Sequence, residues 1–222
     1  MIVGLCKRDL KGKYILRTFG LEAESLPYPK VERWIGGLDL FFDDEISWKK
    51  AKEELGIYVY ADRGVEMEEV VGELLKAKGL KLAVAESCTA GLLSARLVNV
   101  PGSSEYFVGG FVVYSNDLKA KLLSVEKELL EKYGAVSEEV CRAMCIGALE
   151  ETDADITLAI TGIAGPSSSH RKPVGLTYIG LCTDREVYVE RHMLGLSRNE
   201  NRFLATQLAL NMLRKFLLGV LT

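Results

Sequence analysis

The stretch AVAESCTAGLLSARL, residues 83–97, joins an apolar strand to a helix through a short polar segment. The strand is predicted over residues 81–86 and the helix over 89–98. Ser87 and Thr89 fall where the strand gives way to the helix. A strand that passes directly into a helix is the repeating unit of α/β folds, so this stretch favours that class.

A second stretch, GFVVYSNDLKAKLL at residues 110–123, repeats this arrangement. It ends a strand of residues 107–114 and begins a helix of 116–123 that carries Lys119. The alternation continues with a short helix to about 132, a helix over 138–152 capped by Ser137, strands over 155–161, 175–182 and 186–193, and a helix over 198–218. The pattern predicts a mostly parallel mixed sheet with helices on both faces and a final hairpin. Ligands bind such sheets beyond the carboxyl ends of the strands.

Residues 1–62 are predicted to form a small α+β domain ahead of a main domain at residues 63–222. Its strands are expected near residues 13–19, 38–42 and 57–61, with one helix among them. This part is therefore expected to be a small appendage, and the larger hydrophobic core is expected in the main domain that follows it.

Capping signals define the helices around this boundary. Ser47 is placed to cap the first helix and Gly56 to end it. A linker is expected at residues 62–64, followed by a helix of about 66–78 that Gly79 ends. The main domain is therefore expected to start at this second helix.

The composition indicates an ordinary globular chain of 222 residues, with 48% apolar and 27% charged residues. No apolar run approaches the roughly 18 residues of a membrane span, and no basic segment leads into a secretory signal. The sequence therefore predicts no membrane partner and a cytoplasmic location. A net charge of −3 argues against direct nucleic-acid binding.

Cysteine and histidine usage limits the available chemistry. The five cysteines include no C-x-x-C pair, which favours reduced thiols, and Cys141 and Cys145 are expected to pack inside a helix. His170 and His192 are the only histidines, too few for a His-based metal cluster or a Ser-His-Asp triad. No metal and no cofactor is therefore expected, and lysine becomes the candidate base.

Two polar turns after predicted strands could meet a ligand. Ser87 and Thr89, with unpaired N–H groups at a helix start, suit an anion such as phosphate, although simple helix capping is the more ordinary reading of this fragment. Thr161 and Gly162 open a glycine-containing turn that lets backbone approach a ligand. Glu86 could complement a cationic ring or pair with a neighbouring cation, and both readings stay open.

A third polar turn, at residues 101–104, precedes the strand that ends near Lys119. If Lys119 points inward toward Ser104, it can take the hydroxyl proton and return it to a leaving amine. A lysine base must be desolvated or placed near positive charge, because an ordinary lysine is charged at pH 7. The alternative is that Lys119 is a surface lysine, and Lys121 is a rival candidate for the same role.

Six ordered blocks resemble the carboxy-terminal domain of the CinA (competence/damage-inducible) family. The blocks are AESCTAGLLSARL, PGSSEYF, GGFVVYSNDLKAKLL, YGAVSEEV, AITGIAGP and KPVGLTYI. The resemblance covers about residues 63–218, and residues 8–62 resemble part of the domain that precedes it in longer members. It implies a three-layer α/β/α fold and hydrolysis of the carboxamide of nicotinamide mononucleotide, giving nicotinic acid mononucleotide and ammonia.

The resemblance also implies roles for individual residues. Ser104 would be the nucleophile and Lys119 its base, with N–H groups at the 102–105 turn or beside Thr161 holding the oxyanion. Arg198, with Arg202 as the alternative, and the 87–91 helix start would bind the phosphate. Tyr114 could stack on the pyridinium ring. The substrate-binding set implied in this way is Ser87, Thr89, Tyr114, Asn116, Thr161, Gly162 and Arg198.

Three departures from the family pattern bear on substrate fit. Ala90 stands where a glycine is usual, the loop at residues 167–170 is not glycine-rich, and the segment at Arg198 lacks a preceding acidic residue. The runner-up function is a catalytically silent nucleotide-binding or adaptor module linked to competence or DNA damage. The expected partners are a small-molecule pyridine nucleotide and, as one alternative, a second copy of the chain in a homodimer.

Overall fold

The computed structural model describes residues 14–21, 28, 30–168 and 172–221. Its first part is a four-stranded antiparallel sheet in the order β2-β3-β1-β4, with helix α1 packed on one face. The elements are β1 (Tyr14–Phe19), β2 (Lys30–Trp34), β3 (Gly37–Phe42), α1 (Glu45–Leu55), a 3-10 turn (Gly56–Tyr58) and β4 (Val59–Ala61). Residue 13 of the first predicted strand lies outside the described residues.

The second part is built on a five-stranded mixed sheet in the order β6-β5-β7-β8-β9. Its elements are α2 (Met67–Lys78), β5 (Leu82–Glu86), α3 (Leu92–Val98), a 3-10 turn (Ser103–Glu105), β6 (Phe107–Val112), α4 (Asn116–Leu123), α5 (Lys127–Tyr133), α6 (Glu138–Glu150), β7 (Ile156–Gly162), β8 (Leu176–Cys182), β9 (Val187–Met193) and α7 (Arg198–Leu217). Strands β6, β5 and β7 are parallel, whereas β8 and β9 form an antiparallel hairpin. The predicted mixed sheet is confirmed.

Helices cover both faces of this sheet and make two separate cores. On one face, α2, α3 and α7 bury the apolar cluster that contains Leu75, Leu93 and Leu210. On the other face, α4, α5 and α6 bury a cluster that contains Leu123 and Met144. The three-layer α/β/α arrangement is therefore confirmed, and burial of apolar side chains on both faces explains why β5 and β7 read as continuous apolar runs.

The small α+β unit packs against the main unit through one of these cores. Phe19, Tyr60 and Ala61 belong to the same buried cluster as Leu213 and Leu217 of α7. The small α+β unit thus shares apolar burial with the main sheet. The domain boundary at residue 62 stays a prediction.

The residues predicted to begin and end the helices are confirmed in most cases, and one predicted cap is wrong. Gly56 and Gly79 follow the ends of α1 and α2, and Ser137 accepts a hydrogen bond from the Val140 N–H at the start of α6. Ser47 does not cap α1: Asp44 is the cap and accepts from the Ser47 N–H at 2.9 Å. The helix begins at Glu45, before Ser47, so the carboxylate that precedes it is the cap.

Strand β2 was not predicted. Its sequence is KVERW, and four of its five residues are exposed. It lies at the edge of its sheet and lacks the apolar alternation of a half-buried strand.

The described residues bear on the predictions about the cysteines, membrane-spanning segments and metal sites. Cys88, Cys141, Cys145 and Cys182 are buried and free, as expected for reduced thiols. Cys6 lies outside the described residues. Among the residues that are described, no helix has the length and apolar character needed to cross a membrane, and no group of three acidic, histidine or cysteine side chains could hold a metal ion.

Ala90 carries backbone strain that can be tested. It has a φ of 50°, a left-handed conformation that suits glycine, and its side chain is exposed. We expect Ala90→Gly to raise the free energy of unfolding by about 1 kcal/mol, because the strain of a Cβ in this conformation is removed. Urea denaturation would measure it. Ala95→Gly, within α3, is the matched control and should lower stability by about 1 kcal/mol; equal losses in both variants would contradict the assignment of strain.

Candidate active site

A cleft of about 230 Å³ opens at the carboxyl ends of β5, β6 and β7. This is the edge of the sheet where ligand binding was expected. The lining residues come from five segments of the chain: Ser87, Cys88, Tyr114, Lys119, Ala135, Val136, Gly162, Ile163, Ala164, Gly165, Ser167 and Arg198. Of the residues predicted from sequence, Ser87, Tyr114, Lys119, Gly162 and Arg198 meet here.

Lys119 reaches into this cleft from α4 and is fully buried. Its Nζ donates hydrogen bonds to the Val113 carbonyl oxygen at 2.8 Å, to Ser87 Oγ at 3.1 Å and to the Tyr114 carbonyl oxygen at 3.3 Å. No carboxylate lies within ion-pair distance among the described residues. Burial without a counter-charge lowers the pKa of Lys119 from 10.5 to about 8. The surface-lysine alternative is therefore wrong.

Ser87 is the serine that Lys119 contacts. It is the first residue after β5, and its backbone N–H donates to the Ile160 carbonyl oxygen of β7 at 3.0 Å, which fixes its position at the strand end. The side chain is 8% exposed and lines the cleft. A serine hydroxyl beside a lysine of lowered pKa is the arrangement that nucleophilic catalysis without histidine requires.

Ser104 lies elsewhere, and the structure does not bring Ser104 and Lys119 together within one chain. Ser104 is exposed in the 3-10 turn that precedes β6, and Lys81 at the start of β5 donates to the Glu105 carbonyl oxygen at 2.6 Å. Lys119 instead follows the carboxyl end of β6. The two residues therefore lie beyond opposite ends of β6: Ser104 is at the amino ends of the parallel strands β5 and β6, and Lys119 is at their carboxyl ends. The 102–105 turn cannot supply an oxyanion hole to its own chain's cleft for the same reason.

Three other predicted substrate contacts have structural roles or face other surfaces. Thr161 is fully buried, and its Oγ1 donates to the Ala135 carbonyl oxygen at 2.7 Å, so it holds the cleft wall. Thr89 is also fully buried and is not part of the cleft lining. Asn116 lines a neighbouring cavity of about 600 Å³ beside α5. Residue type reveals neither the burial of the two threonines nor the position of the exposed Asn116 outside the cleft.

The start of α3 does not offer an anion site. Helix α3 begins at Leu92 rather than at residue 89, and the buried Glu86 carboxylate accepts hydrogen bonds from the N–H groups of Leu93 and Ser94 at 3.0 and 2.8 Å. The donors that were expected to hold phosphate therefore already bind a carboxylate. Among the described residues Glu86 has no ion-pair partner, and its carboxylate stabilises the helix start.

The two arginines near the start of α7 have different positions. Arg198 lines the cleft and donates to the Gly165 carbonyl oxygen and, at 3.4 Å, to the Tyr114 hydroxyl. Arg202 donates to the carbonyl oxygens of Cys88 and Thr89 at 3.2 and 2.8 Å and so holds the turn after β5. Arg198 is thus the arginine that can reach a ligand. Tyr114, 59% exposed, lies beside it at the mouth of the cleft.

The turn after β7 brings backbone to the cleft. A Cβ at Gly162 would lie 2.7 Å from Thr177 Oγ1, so only glycine fits there. Gly165 has a φ of 99°, which also suits glycine. Among the described residues, the N–H groups of Ala164 and Gly165 have no hydrogen-bond acceptor, and both residues line the cleft. They are candidates to hold a developing negative charge.

Sequence reasoning missed three contributors to the cleft. Cys88 follows Ser87 and lines the cleft, and burial raises the pKa of its thiol to about 12, so the thiol is neutral. Ala135 and Val136 come from the turn between α5 and α6. Its position next to Ser87 could have indicated Cys88 from the sequence, whereas no local sequence pattern identifies Ala135 or Val136. Residues 169–171 of the polar loop after β7 lie outside the described residues.

Comparisons with known proteins point to one family. The sequence profile of the CinA C-terminal domain matches residues 65–217. A putative competence-damage inducible protein from Alkaliphilus oremlandii is 45% identical over 172 residues, which cover 77% of this chain and 42% of the relative. A CinA-like protein from a Sulfurihydrogenibium species is 43% identical over 190 residues, with 82% and 48% covered. The chain therefore spans less than half the length of these curated relatives.

Solved structures give a similar result. A CinA superfamily protein from Klebsiella pneumoniae superposes with a TM-score of 0.68 at 29% identity, covering 69% of this chain and 96% of that protein. The competence/damage inducible protein from Agrobacterium tumefaciens superposes with a TM-score of 0.64 at 36% identity, covering 68% and 95%. These structures are similar over about two thirds of this chain, in accord with the span of the profile.

Proposed function

Because the chain belongs to the CinA C-terminal domain family, we propose that it hydrolyses the carboxamide of nicotinamide mononucleotide to nicotinic acid mononucleotide and ammonia. Ser87 is the nucleophile in this proposal and Lys119 is its general base. The observation that carries it is the 3.1 Å contact between Lys119 Nζ and Ser87 Oγ in a buried site. A catalytically silent binding module would have no use for a lysine that is buried without a carboxylate partner, because burying such a charge costs free energy.

The lowered pKa of Lys119 supports its role as a base. With a pKa of about 8, roughly one lysine in ten is neutral at pH 7, compared with about one in several thousand for an ordinary lysine. The neutral amine can accept the Ser87 proton without a large energy cost. The charged form is still accessible, so the same group can return the proton to a leaving nitrogen.

The reaction then proceeds in two halves. Ser87 Oγ attacks the amide carbon as its proton passes to Lys119 Nζ, and the N–H groups of Ala164 and Gly165 stabilise the negative oxygen. The carbon–nitrogen bond breaks as Lys119 gives the proton to the nitrogen, and ammonia leaves. A water molecule next attacks the ester and gives a proton to Lys119, which returns it to Ser87 Oγ as the acid product departs.

The cleft also offers groups that suit the rest of this substrate. The face of Tyr114 can lie against the cationic pyridinium ring. Arg198 uses one N–H on the Gly165 carbonyl and one on the Tyr114 hydroxyl, and a guanidinium has five donors, so others can bind a phosphate. Ring and phosphate would thus lie at the open side of the cleft, with the carboxamide toward Ser87.

The proposal is tested by incubating the purified chain with nicotinamide mononucleotide and following two products. We expect ammonia and nicotinic acid mononucleotide to appear in equal amounts. Ammonia without the acid nucleotide would indicate another reaction. Nucleotide binding without either product would contradict the proposal and favour the adaptor alternative.

Arg198→Ala should weaken binding of the phosphate specifically. We expect KM for nicotinamide mononucleotide to rise about 10- to 100-fold with kcat little changed, because a charge-assisted contact is lost in both ground and transition state. Nicotinamide riboside, which lacks the phosphate, should show the same kinetics in both proteins. Arg185→Ala, on the exposed β8–β9 turn, is the matched control. An equal rise in KM for both substrates would place Arg198 away from the phosphate.

A further inference from the structure

Lys172 connects the loop before β8 to the turn between α5 and α6. Its Nζ donates hydrogen bonds to the Tyr133 carbonyl oxygen at 2.5 Å and to the Val136 carbonyl oxygen at 2.6 Å. A surface lysine ordinarily keeps its ammonium in water, whereas this one is held by two main-chain oxygens of another segment. The contacts therefore indicate a specific role for Lys172 in holding that segment.

The other two carbonyl groups of the 133–136 turn are also held by side chains. Ser137 Oγ donates to the Gly134 carbonyl oxygen at 3.0 Å, and Thr161 Oγ1 donates to the Ala135 carbonyl oxygen at 2.7 Å. Each of the four consecutive carbonyl oxygens of this turn thus accepts a hydrogen bond from a side chain, and Lys172 supplies two of these bonds. Since the turn lies outside any helix or strand, its shape depends on such donors.

The 133–136 turn forms a thin wall between two cavities. Ala135 lines both the cleft of about 230 Å³ that contains Lys119 and the neighbouring cavity of about 600 Å³. Lys172 lines the larger cavity, on the outer side of this wall. A wall with open space on both sides makes few van der Waals contacts, so its position depends on the hydrogen bonds that hold it.

The wall matters to Lys119 because this amine is buried without a counter-charge. The titratable side chains that share the cleft or helix α4 with it, together with the buried thiol of α6 that interacts with the cleft, are Cys88, Tyr114, Asp117, Lys121, Cys141 and Arg198. Burial raises the pKa of both thiols, which are therefore neutral, and the other four side chains are exposed. The Glu86 carboxylate at the end of β5 binds the start of α3 instead. Desolvation is accordingly the main cause of the lowered pKa of Lys119, and water entering past a displaced wall would favour the charged amine.

We propose that Lys172 is a positioning residue for Lys119: it closes the 133–136 turn over the cleft and so keeps water away from the buried amine. Lys172 lines the outer cavity and not the cleft, so it acts through the wall rather than on the substrate. Its importance for the reaction rests on the proposed function, whereas its effect on the titration of Lys119 does not.

NMR of the unliganded chain tests this effect without any activity measurement. Lysine carrying an isotope label at Cε reports the titration of each amine, and comparison with Lys119→Met identifies the Lys119 signal. We expect the pKa of Lys119 to be about 8 in the wild type and to rise to about 9 in Lys172→Met, because the amine becomes hydrated. Lys127→Met is the matched control, since it removes an exposed lysine of the same outer cavity and should leave the pKa of Lys119 unchanged.

Thr161→Val separates the wall from the charge of Lys172. This variant removes the hydrogen bond to the Ala135 carbonyl oxygen but removes no charge. We expect it to raise the pKa of Lys119 as Lys172→Met does, and it supplies the test if circular dichroism shows that Lys172→Met is unfolded. A rise in Lys172→Met alone would mean that its charge acts on Lys119 directly and would overturn the role of the wall. An unchanged pKa in both variants would overturn it as well.

Kinetics gives the readout for the reaction. In Lys172→Met, the pH above which kcat/KM levels off should move up with the pKa of Lys119, so kcat/KM should fall about tenfold at pH 7 and approach the wild-type value at high pH. A loss of the same size at every pH would indicate general damage to the cleft and would contradict the proposal. If the wild-type chain has no deamidase activity while the NMR titration shifts as expected, the proposed function fails and the role of the wall stands. An active chain whose Lys119 titration does not shift in either variant gives the reverse result.

Discussion

Lys119→Met is expected to lower kcat/KM for nicotinamide mononucleotide by about 10³-fold or more, since it removes the group that accepts and returns the proton. Methionine fills similar space but has no basic nitrogen, so the cleft keeps its shape. Substrate affinity should change little, because Lys119 Nζ binds Ser87 and two backbone carbonyl groups. Steady-state kinetics together with nucleotide binding by calorimetry would measure both effects.

Lys121→Met is the control for this change. Lys121 lies two residues further along α4 and is exposed, so its loss should leave the catalytic rate near the wild-type value. Near-normal turnover in Lys119→Met, or equal losses in the two variants, would contradict the assignment of the base.

The same residue sets the expected pH dependence. The neutral form of Lys119 is the reactive one, so kcat/KM should rise with pH and level off above a pKa of about 8. The folded chain holds this proton more weakly than the unfolded chain, in which the pKa has its ordinary value of 10.5. Stability relative to Lys119→Met should therefore increase as pH rises from about 8 toward 10.5. A profile that falls with pH over this range would exclude the neutral amine as the base.

Local sequence patterns predicted the helices and strands well, because the spacing of apolar residues indicates which side of a segment is buried. Helix α4 was predicted at residues 116–123 and is observed there, and Ser137 caps α6 as expected. The contacts of polar side chains were harder to predict. Glu86 binds N–H groups at the start of the next helix, and Thr161 binds a carbonyl of a segment that only tertiary packing brings near.

The nucleophile shows why motif spacing was insufficient. Ser104 precedes β6 and Lys119 follows it, so they must lie at opposite ends of the strands. This constraint was already implied by the predicted topology, but hydroxyl and amine chemistry alone gave no reason to apply it. Ser87 follows β5 and thus shares the carboxyl edge with Lys119. Strand direction, more than residue type, decides which serine lies beside Lys119.

Ser87→Ala is accordingly expected to lower kcat by about 10³-fold or more, whereas Ser104→Ala, which lies outside the cleft of its own chain, should retain kcat within a few-fold. The first variant removes the oxygen that attacks the amide carbon in the proposed reaction, and the second removes a hydroxyl that does not line the cleft. Mass spectrometry after rapid quenching supplies an independent readout, because the wild-type chain should carry a nicotinoyl nucleotide ester on the peptide that contains Ser87.

The reverse pattern would identify a different nucleophile. If Ser104→Ala abolished turnover, Ser87→Ala retained it, and the ester mapped to the peptide containing Ser104, then the attacking oxygen would come from the turn before β6. One chain cannot place that turn beside its own Lys119, since the length of β6 separates them. That result would therefore require a nucleophile from a second copy of the chain, and Ser87 would be left to position the Lys119 amine. The pair of variants thus decides between two chemical roles for the same cleft.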